Sequence, residues 1–252
     1  MVNYRNKKIK TTGFTLAEVL ITLGIIGVVA SLTIPVLMDK FEKQATIEGY
    51  KKAYSTLSNA VKMSETENGT IDGWDFPKTP DDNNELLAFL KVYILPYLSI
   101  SKKCELATGC FASRKTPYGT QVGVPSSVQY VLNDGTAIAF YNIGFAHAPT
   151  TAGKISIFVD INGSKKPNIM GKDVFSFLLA PKAATYYNGG NGDLARNVKI
   201  GGVYPDGSGV NINGIHYQYR GCGKDVTYGS AGAYCGMKII QDGYQIKDDY
   251  PW

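Results

Sequence analysis

Hydrophobic and polar positions divide the start of the chain into two stretches of different character. The first thirteen residues are polar and basic, and a long apolar stretch follows them. Between Glu18 and Asp39 lie twenty consecutive residues without a charge. As an α-helix these residues would be about 30 Å long, which is the thickness of the hydrocarbon core of a bilayer. The pattern therefore predicts a transmembrane helix over residues 14–38.

After the apolar stretch, hydrophobic residues recur at helical spacing. They lie at i, i+4, i+7 and i+11 and form one stripe: Tyr50, Tyr54, Leu57 and Val61. Lys and Glu side chains fill the opposite face, which is typical of an amphipathic helix. Asn68 followed by Gly69 is a typical helix stop. We therefore expect one long helix over residues 14–67, with its first half in lipid and its second half packed on a globular head domain of residues 68–252.

The rest of the chain alternates strand-like runs with turn signals. Three segments have strand-like runs on both sides of a Gly-containing turn. They are residues 128–143 about Asn133-Asp134-Gly135, residues 154–180 about Asn162-Gly163, and residues 238–252, predicted as a final hairpin about Asp242-Gly243. Residues 79–100 instead predict a short helix that Asp81 or Asp82 caps and Pro96 ends. Strands grouped after one long helix indicate an α+β fold with an antiparallel sheet.

Composition and charge support a β-rich head and give no strong sign of nucleic-acid binding. The chain has 28 Gly and 17 Tyr, which fits a turn-rich β domain better than a helical one. The net charge is +5, but four basic residues lie within the first ten: Arg5, Lys7, Lys8 and Lys10. Removing these four from the 26 basic residues leaves 22 against 21 acidic ones. The body is thus nearly neutral, unlike a nucleic-acid-binding protein, and the basic head suits the cytoplasmic flank of a membrane helix.

The four cysteines favour disulfides over a zinc site. Five residues separate Cys104 from Cys110, and twelve separate Cys222 from Cys235. Neither spacing is C-x2-C, and the chain has two histidines, so zinc is disfavoured. Three pairings are open. We favour the two local ones, because each closes a short Gly-containing loop and contributes roughly 2–3 kcal/mol. Disulfides imply an oxidising compartment, in agreement with export.

Glu18 is the exception within the apolar stretch. A carboxylate in lipid is costly, and no basic side chain lies within the following twenty residues. If the chain were cut between Gly13 and Phe14, Phe14 would gain a free α-amine. That amine would lie four residues before Glu18, or a neighbouring copy would supply it. Cleavage would create a charged partner that the uncut chain lacks. A secretory signal explains less, since the apolar stretch is long for one and no small-x-small cleavage site follows it.

The segment Gly13-Phe14-Thr15-Leu16-Ala17-Glu18 resembles the processing site of type IV pilins and of the pseudopilins of type II secretion. The basic residues before Gly13, the uncharged stretch and Pro35 match the same pattern. The resemblance implies that residues 1–13 are a leader removed by a prepilin peptidase, which also methylates the amine of Phe14. It further implies a pilin-like fold, and that Glu18 pairs with the amine of Phe14 in an adjacent subunit during assembly.

The function implied by the resemblance is that of a structural subunit in a secretion pseudopilus or in a longer surface pilus. The head is larger than that of many major subunits, which favours a minor role. Implied partners are the prepilin peptidase and methyltransferase, other pilin or pseudopilin subunits, the inner-membrane assembly platform with its ATPase, and the lipid bilayer. The subunit would cross the bacterial inner membrane once, with its N-terminus cytoplasmic, before joining a filament in the periplasm or at the cell surface. The alternative is a membrane-anchored exported adhesin or carbohydrate-binding module, in which the helix only tethers the head.

A looser resemblance extends into the head. Residues 160–175 and the terminal Tyr250-Pro251-Trp252 resemble the heads of a bacterial pseudopilin-like group. Three polar residues there offer oxygen ligands for calcium, which some pseudopilins bind: Asp160, Asn162 and Asp173. The loop has fewer acidic residues than an EF-hand, and it contains three lysines, whose charges oppose the binding of a cation. A turn held by Asp and Asn side chains that hydrogen-bond to the backbone explains the same residues.

Motifs of catalysis are missing from the sequence. There is no G-x-S-x-G, no P-loop and no H-E-x-x-H, and His147 and His216 stand apart in the chain. We therefore expect no enzymatic activity, no catalytic residue and no cofactor apart from calcium at the head loop.

Overall fold

A computed structural model describes residues 13–106, 108–123, 126–142, 153–181, 201–208, 220–224, 226, 229 and 231–252. The chain divides into two compact units, Met1–Gln44 and Ala45–Trp252. The basic residues of the predicted leader lie outside the described residues, as do both histidines.

Helices and strands follow the order expected of an α+β chain. The described helices are α1 (Leu16–Asn68), α2 (Asn83–Tyr93) and α3 (Cys235–Gln241), with 3-10 turns at Ile71–Gly73 and Leu95–Tyr97. The described strands are β1 (Ile100–Glu105), β2 (Arg114–Lys115), β3 (Gln121–Val122), β4 (Val128–Leu132), β5 (Ala137–Asn142), β6 (Ile155–Asp160), β7 (Val174–Ala180) and β8 (Gly202–Pro205). The predicted long helix over residues 14–67 is confirmed to within two residues at its start and one at its end.

The first unit contains the apolar part of α1. An 18-residue window of this helix has a mean hydropathy of 2.4, so the helix is long and apolar enough to cross a bilayer. Its hydroxyl groups are satisfied inside the helix: those of Thr22, Ser31 and Thr33 donate to main-chain carbonyls three or four residues earlier. Lipid offers no hydrogen-bond partner, so this internal pairing suits a membrane helix.

The second unit is built on a six-stranded sheet in the order β1-β4-β5-β6-β7-β8. Every neighbouring pair is antiparallel. From β4 to β8 each strand pairs with the next one in the chain. The connection between β4 and β5 is a short turn, whereas the later connections are longer. The α+β fold with an antiparallel sheet is therefore confirmed, and so is the predicted pair of strands on each side of Asn133-Asp134-Gly135 and of Asn162-Gly163.

The second half of α1 packs on one face of the sheet. The Tyr50 ring lies 4.9 Å from the ring of Phe175 and 5.6 Å from that of Phe177. Leu57 and Val61 are buried in the same core, and Tyr54 is half-buried against Phe177. The predicted stripe is thus a packing surface. A Cβ on Gly49 would come within 2.7 Å of Cδ1 of Ile161, so a side chain there would displace the end of the Ile161 side chain.

The other face of the sheet has a smaller core. Side chains alternate between faces along a strand. Phe158 and Val174 therefore point away from α1, and they pack with Phe111, Met170 and Tyr234. The main-chain N–H groups of Cys110 and Phe111 donate to Oε1 of Gln129 in β4, which fixes the segment after β1 over this face.

The final hairpin predicted over residues 238–252 is wrong, because this segment begins with helix α3. A short apolar run has no period that separates strand from helix. The residues predicted as a hairpin turn instead end the helix: Gly243, with φ +71°, follows the C-cap Asp242. The N–H of Gly243 donates to O of Ile240 and that of Tyr244 to O of Ile239. These two bonds form a Schellman motif, for which Gly is the preferred residue.

The predicted helix within residues 79–100 is confirmed as α2. The Asp82 side chain is its N-cap and accepts from the N–H groups of Asn84 and Glu85 at 2.9 and 3.1 Å. Pro96 lies in the 3-10 turn just after the helix, where its missing N–H is tolerated.

Two disulfides hold the loops of the second unit. Cys104 is bonded to Cys110 and Cys222 to Cys235, which are the two local pairings that the sequence favours. Cys222 and Cys235 are almost fully buried and belong to the core under α1. Their disulfide therefore ties the start of α3 to the preceding loop at the place where Tyr50 packs.

Candidate functional site

The predicted processing site lies ahead of the first helical residue. Gly13 and Phe14 are exposed and precede α1, and the Phe14 side chain is 90% exposed. The bond between them is thus outside the helical segment.

Glu18 has a neutral partner that the sequence interpretation missed. Its Oε2 accepts from N and from Oγ1 of Thr15, both at 2.8 Å, and its own N–H donates to Oγ1 of Thr15 at 3.2 Å. This reciprocal pattern is a capping box, whose sequence signature is S/T-x-x-E. The signature is present as Thr15-Leu16-Ala17-Glu18 and could have been found by inspection.

The capping box changes the interpretation of Glu18. The uncut chain thus offers this carboxylate hydrogen-bond donors, although its described residues offer it no charged partner. The hydrogen bonds from Thr15 satisfy Oε2 of the carboxylate, but they do not neutralise its charge. A positively charged amine would therefore still be a stronger partner in a medium of low dielectric constant. Glu18 thus has one function within the described chain and is available for a second.

The three predicted calcium ligands are brought together between β6 and β7. The Nδ2 of Asn162 donates to Oδ2 of Asp173 at 3.3 Å, and the main-chain N–H of Asn162 donates to Oδ1 of Asp160 at 3.2 Å. Asp160 and Asp173 are almost completely buried. Burial is the main cause that raises the pKa of each carboxyl, and the nearby charge of Asp173 adds to it for Asp160, whose pKa rises to about 8.

Main-chain and side-chain N–H groups donate hydrogen bonds to the carboxylates of Asp160 and Asp173. Asp173 accepts from the main-chain N–H groups of Asn168 and Ile169 at 2.7 and 2.5 Å. The side-chain amide of Asn168, in the orientation that suits its neighbours, donates to Oδ2 of Asp160 at 2.9 Å and to O of Lys165 at 3.0 Å. Both acids therefore act as acceptors that hold the loop in shape.

This donor set does not fit a calcium shell. Calcium takes six to eight oxygen ligands. In the described part of the chain, no three His, Cys, Asp or Glu side chains are placed to hold a metal ion. The buried Oδ1 of Asn162 accepts no hydrogen bond from a described group, but one such oxygen falls far short of a shell. The geometry favours the hydrogen-bonded turn over the calcium site.

The loop with these acids also contacts the second half of α1. The hydroxyl of Thr46 donates to the carbonyl of Lys172 at 3.0 Å, and Ile161 lies against Gly49. The Nζ of Lys172 lies 4.4 Å from the centroid of the Trp252 ring, and the hydroxyl of Tyr250 donates to O of Gly171 at 2.5 Å. The loop and the C-terminal residues thus form one packed structure beside the helix.

Comparisons with known proteins assign a family to most of the chain. Residues 36–252 match a protein-family model described as "Family of unknown function (DUF6613)". None of the curated proteins and none of the solved structures searched matches the chain. The family match begins at Val36, near the end of the apolar stretch, and so does not include the segment from Gly13 to Glu18. Since the match spans the whole folded head, the chain belongs to this family of unknown function, DUF6613.

Proposed function

We propose that the protein is a structural subunit, in a minor role, of a membrane-rooted helical filament of the type IV pilus or type II secretion pseudopilus kind. The observation that carries the proposal is the segment from Gly13 to Glu18 at the start of an apolar helix. It combines an exposed bond for cleavage, a carboxylate in the first helical turn and an uncharged stretch long enough for a bilayer.

The exposed apolar surface of α1 supports the proposal. Large hydrophobic side chains are exposed on every side of the helix between Leu16 and Met38: Leu20, Ile21, Leu23, Ile25, Ile26, Val28, Leu32, Ile34 and Leu37 are examples. Apolar surface in water is unfavourable by about 25 cal/mol per Å². Lipid would cover this surface in the membrane, and the helices of neighbouring subunits would cover it in a filament.

The proposed mechanism begins at the membrane. The basic leader stays in the cytoplasm while the head crosses, as expected from the distribution of Lys and Arg. The prepilin peptidase cuts after Gly13 and methylates Phe14. Glu18 of an incoming subunit then pairs with the amine of Phe14 in its neighbour, while the assembly platform and its ATPase lift the helix out of the bilayer.

The capping box allows a sharp test of the charge pairing. Gln can replace Glu in a capping box, so Glu18→Gln keeps the cap and removes only the charge. Thr15→Ala does the opposite, since it removes the capping hydroxyl and leaves the carboxylate. The variants are expressed in the native host, and the subunit is quantified in the membrane fraction and in sheared filaments.

We expect Glu18→Gln and Glu18→Ala to insert into the membrane at wild-type level and to be almost absent from filaments. Thr15→Ala should assemble. If Glu18→Gln assembles as the wild type does and Thr15→Ala fails, Glu18 acts only as a helix cap and the proposed mechanism is wrong. An anchored adhesin or carbohydrate-binding module would instead keep its function in all three variants.

The abundance of the subunit identifies its place in the filament. A minor subunit should be present in sheared material at a small fraction of the major subunit. The ratio of the two in the same gel lane measures this directly. A ratio near one would make the protein a major subunit.

A further inference from the structure

Arg114 is a buried cation on the sheet face that points away from α1. The residue belongs to the short strand β2 and is 4% exposed. Its guanidinium lies over the ring of Phe158, with 3.9 Å between Cζ and the ring centroid. The Nε and Nη1 atoms are buried and donate to no group in the part of the chain that the structure describes.

The backbone holds Arg114 in this position from both sides. The residue pairs with Val122 across the β2–β3 hairpin. The N–H of the next residue, Lys115, donates to O of Asn168 at 2.8 Å, and O of Lys115 accepts from N of Met170 at 2.8 Å. The main chain is thus fixed between two segments. Together with the contact on Phe158, this holds the guanidinium among the buried residues of this sheet face.

A second guanidinium lies nearby and has a partner. Arg220 donates to Oδ2 of Asp206, a fully buried carboxylate that also accepts from Oγ of Ser176 at 3.0 Å. The Arg220 guanidinium lies 5.6 Å from the centroid of the Tyr234 ring. We call Arg114, Arg220 and Asp206 the arginine cluster.

Arg114 is the member of the arginine cluster for which the described residues show no anionic partner. Burial, with a smaller effect from the charge of Arg220, lowers the pKa of Arg114 to about 10. The side chain therefore keeps its proton at neutral pH. A buried charge without a partner is strongly unfavourable, and truncating such a group is less harmful than leaving it unpaired. Among the residues that the structure describes, Arg114 therefore lacks an anion.

A carboxylate fits this position best. Arg114 carries a single charge, which matches a monoanion, whereas phosphate carries more than one charge at neutral pH. A planar guanidinium offers parallel N–H groups that a carboxylate accepts in pairs. The rings of Phe158 and Tyr234 line the cluster with apolar surface, which suits an organic acid more than a strongly hydrated inorganic ion.

We propose that the arginine cluster is a binding site for a single carboxylate group, held by Arg114 and supported by the Arg220–Asp206 pair. The group comes either from a small organic acid or from a carboxylate side chain of a second copy of this chain.

The test uses the full chain in detergent micelles at pH 7.5. The melting temperature is followed during titration with sodium acetate and, at matched ionic strength, with sodium chloride. We expect acetate, and not chloride, to raise the melting temperature of the wild type saturably. Equal curves for acetate and chloride would overturn the proposal without any variant.

Two variants locate the effect. Arg114→Met keeps an apolar stem on Phe158 and removes the charge, and we expect acetate to bind it at least ten-fold more weakly. In chloride this variant should melt at the same temperature as the wild type or higher, since it has lost an unpaired buried charge. Lys115→Met removes an exposed charge from the same strand and should respond to acetate as the wild type does. An unchanged acetate response in Arg114→Met would contradict the proposed site.

The molecular mass of the protein in solution distinguishes the two sources of the carboxylate. If a second copy supplies it, the wild type self-associates in chloride and acetate dissociates it, while Arg114→Met does not associate. If a free acid supplies it, acetate raises the melting temperature without changing the mass. Light scattering in both salts separates the two.

Discussion

The two halves of α1 belong to one continuous helix and bury their apolar residues in opposite ways. In the first half, apolar side chains lie on all sides and are exposed, as for Leu32 at 70%. In the second half they form one stripe that is buried by the sheet, as for Leu57 at 2%. The head domain thus covers the apolar residues of one half, and the other half belongs to a helix that is long and apolar enough to span a membrane.

The spacing of apolar residues along the sequence shows the same difference between the two halves. The second half repeats its apolar residues at helical spacing, because a single face contacts the sheet. The first half has no polar face, which is the pattern of a helix surrounded by apolar material. The distribution of apolar residues along the sequence therefore indicates by itself which half is covered by the rest of the chain.

The largest expected effect contrasts equal truncations in the two halves. Leu57→Ala removes a core side chain and should lower the free energy of unfolding of the head by about 2–5 kcal/mol. Leu32→Ala is the matched control and should leave that free energy unchanged, since its side chain contacts no core. Urea denaturation of both variants in detergent, followed by tryptophan fluorescence, measures the difference. Equal losses in the two variants would show that the head also buries the first half.

Introducing a charge tests the first half of α1. Ile26 lies near the middle of the apolar stretch, and Ile26→Lys should cost about 2.5–3.5 kcal/mol on insertion into a bilayer. We expect this variant to be lost from the membrane fraction, whereas Ile26→Leu remains there. Carbonate extraction followed by immunoblotting distinguishes the two. Full retention of Ile26→Lys would argue against a transmembrane helix.

Loss of the buried disulfide should weaken the second half alone. Replacing Cys222 and Cys235 by Ala removes a cross-link with a sequence separation of 13, which the loop-entropy model values at about 3 kcal/mol. Gly236, the next residue, lies against the ring of Tyr50, so the loss should loosen the cover of α1. Hydrogen exchange should speed up around Tyr50 and stay unchanged at Leu32. Unchanged exchange at both places would contradict the predicted link between this disulfide and the helix.

The smallest expected effect depends on pH. Asp160 has a folded pKa of about 8, above the unfolded value of about 3.9, so the folded state holds the proton more tightly. The resulting contribution of Asp160 to the free energy of unfolding is complete below about pH 4. It is lost as the pH rises towards 8, by at most about 1.4 kcal/mol per pH unit. Asp160→Asn cannot ionise and should flatten the fall in melting temperature over this range.

The control for the pH prediction is an exposed acid in the same unit. Asp75→Asn removes an exposed carboxylate in the segment between α1 and α2, where it pairs with Lys78, and this variant should keep the wild-type fall in melting temperature. A steeper fall in Asp160→Asn than in the wild type would mean that Asp160 is ionised in the folded protein.

Local patterns predicted the long helix, the Asp82 cap and the strands on each side of Asn133-Asp134-Gly135, because each depends on neighbours in the sequence. The segment after Cys235 was misassigned for a related reason: an Asp-Gly pair ends a helix as readily as it turns a hairpin. The capping box at Thr15 is equally local, and its S/T-x-x-E signature can be read from the sequence.

The arginine cluster could not be predicted in this way. Arg114 and Arg220 lie far apart in the sequence, and no motif links them to Asp206. Their meeting depends on the order of the strands and on the loops that cover one sheet face. The short strands β2 and β3 also have too few residues to show an alternating pattern.

The most direct test of the proposed filament subunit is mass spectrometry of the N-terminus of the protein isolated from its native membrane. The proposal predicts a chain that begins at Phe14 and carries one added methyl group on its amine. A chain that still begins at Met1, or one cut after the apolar stretch, would contradict it, because Glu18 would then have no amine to meet.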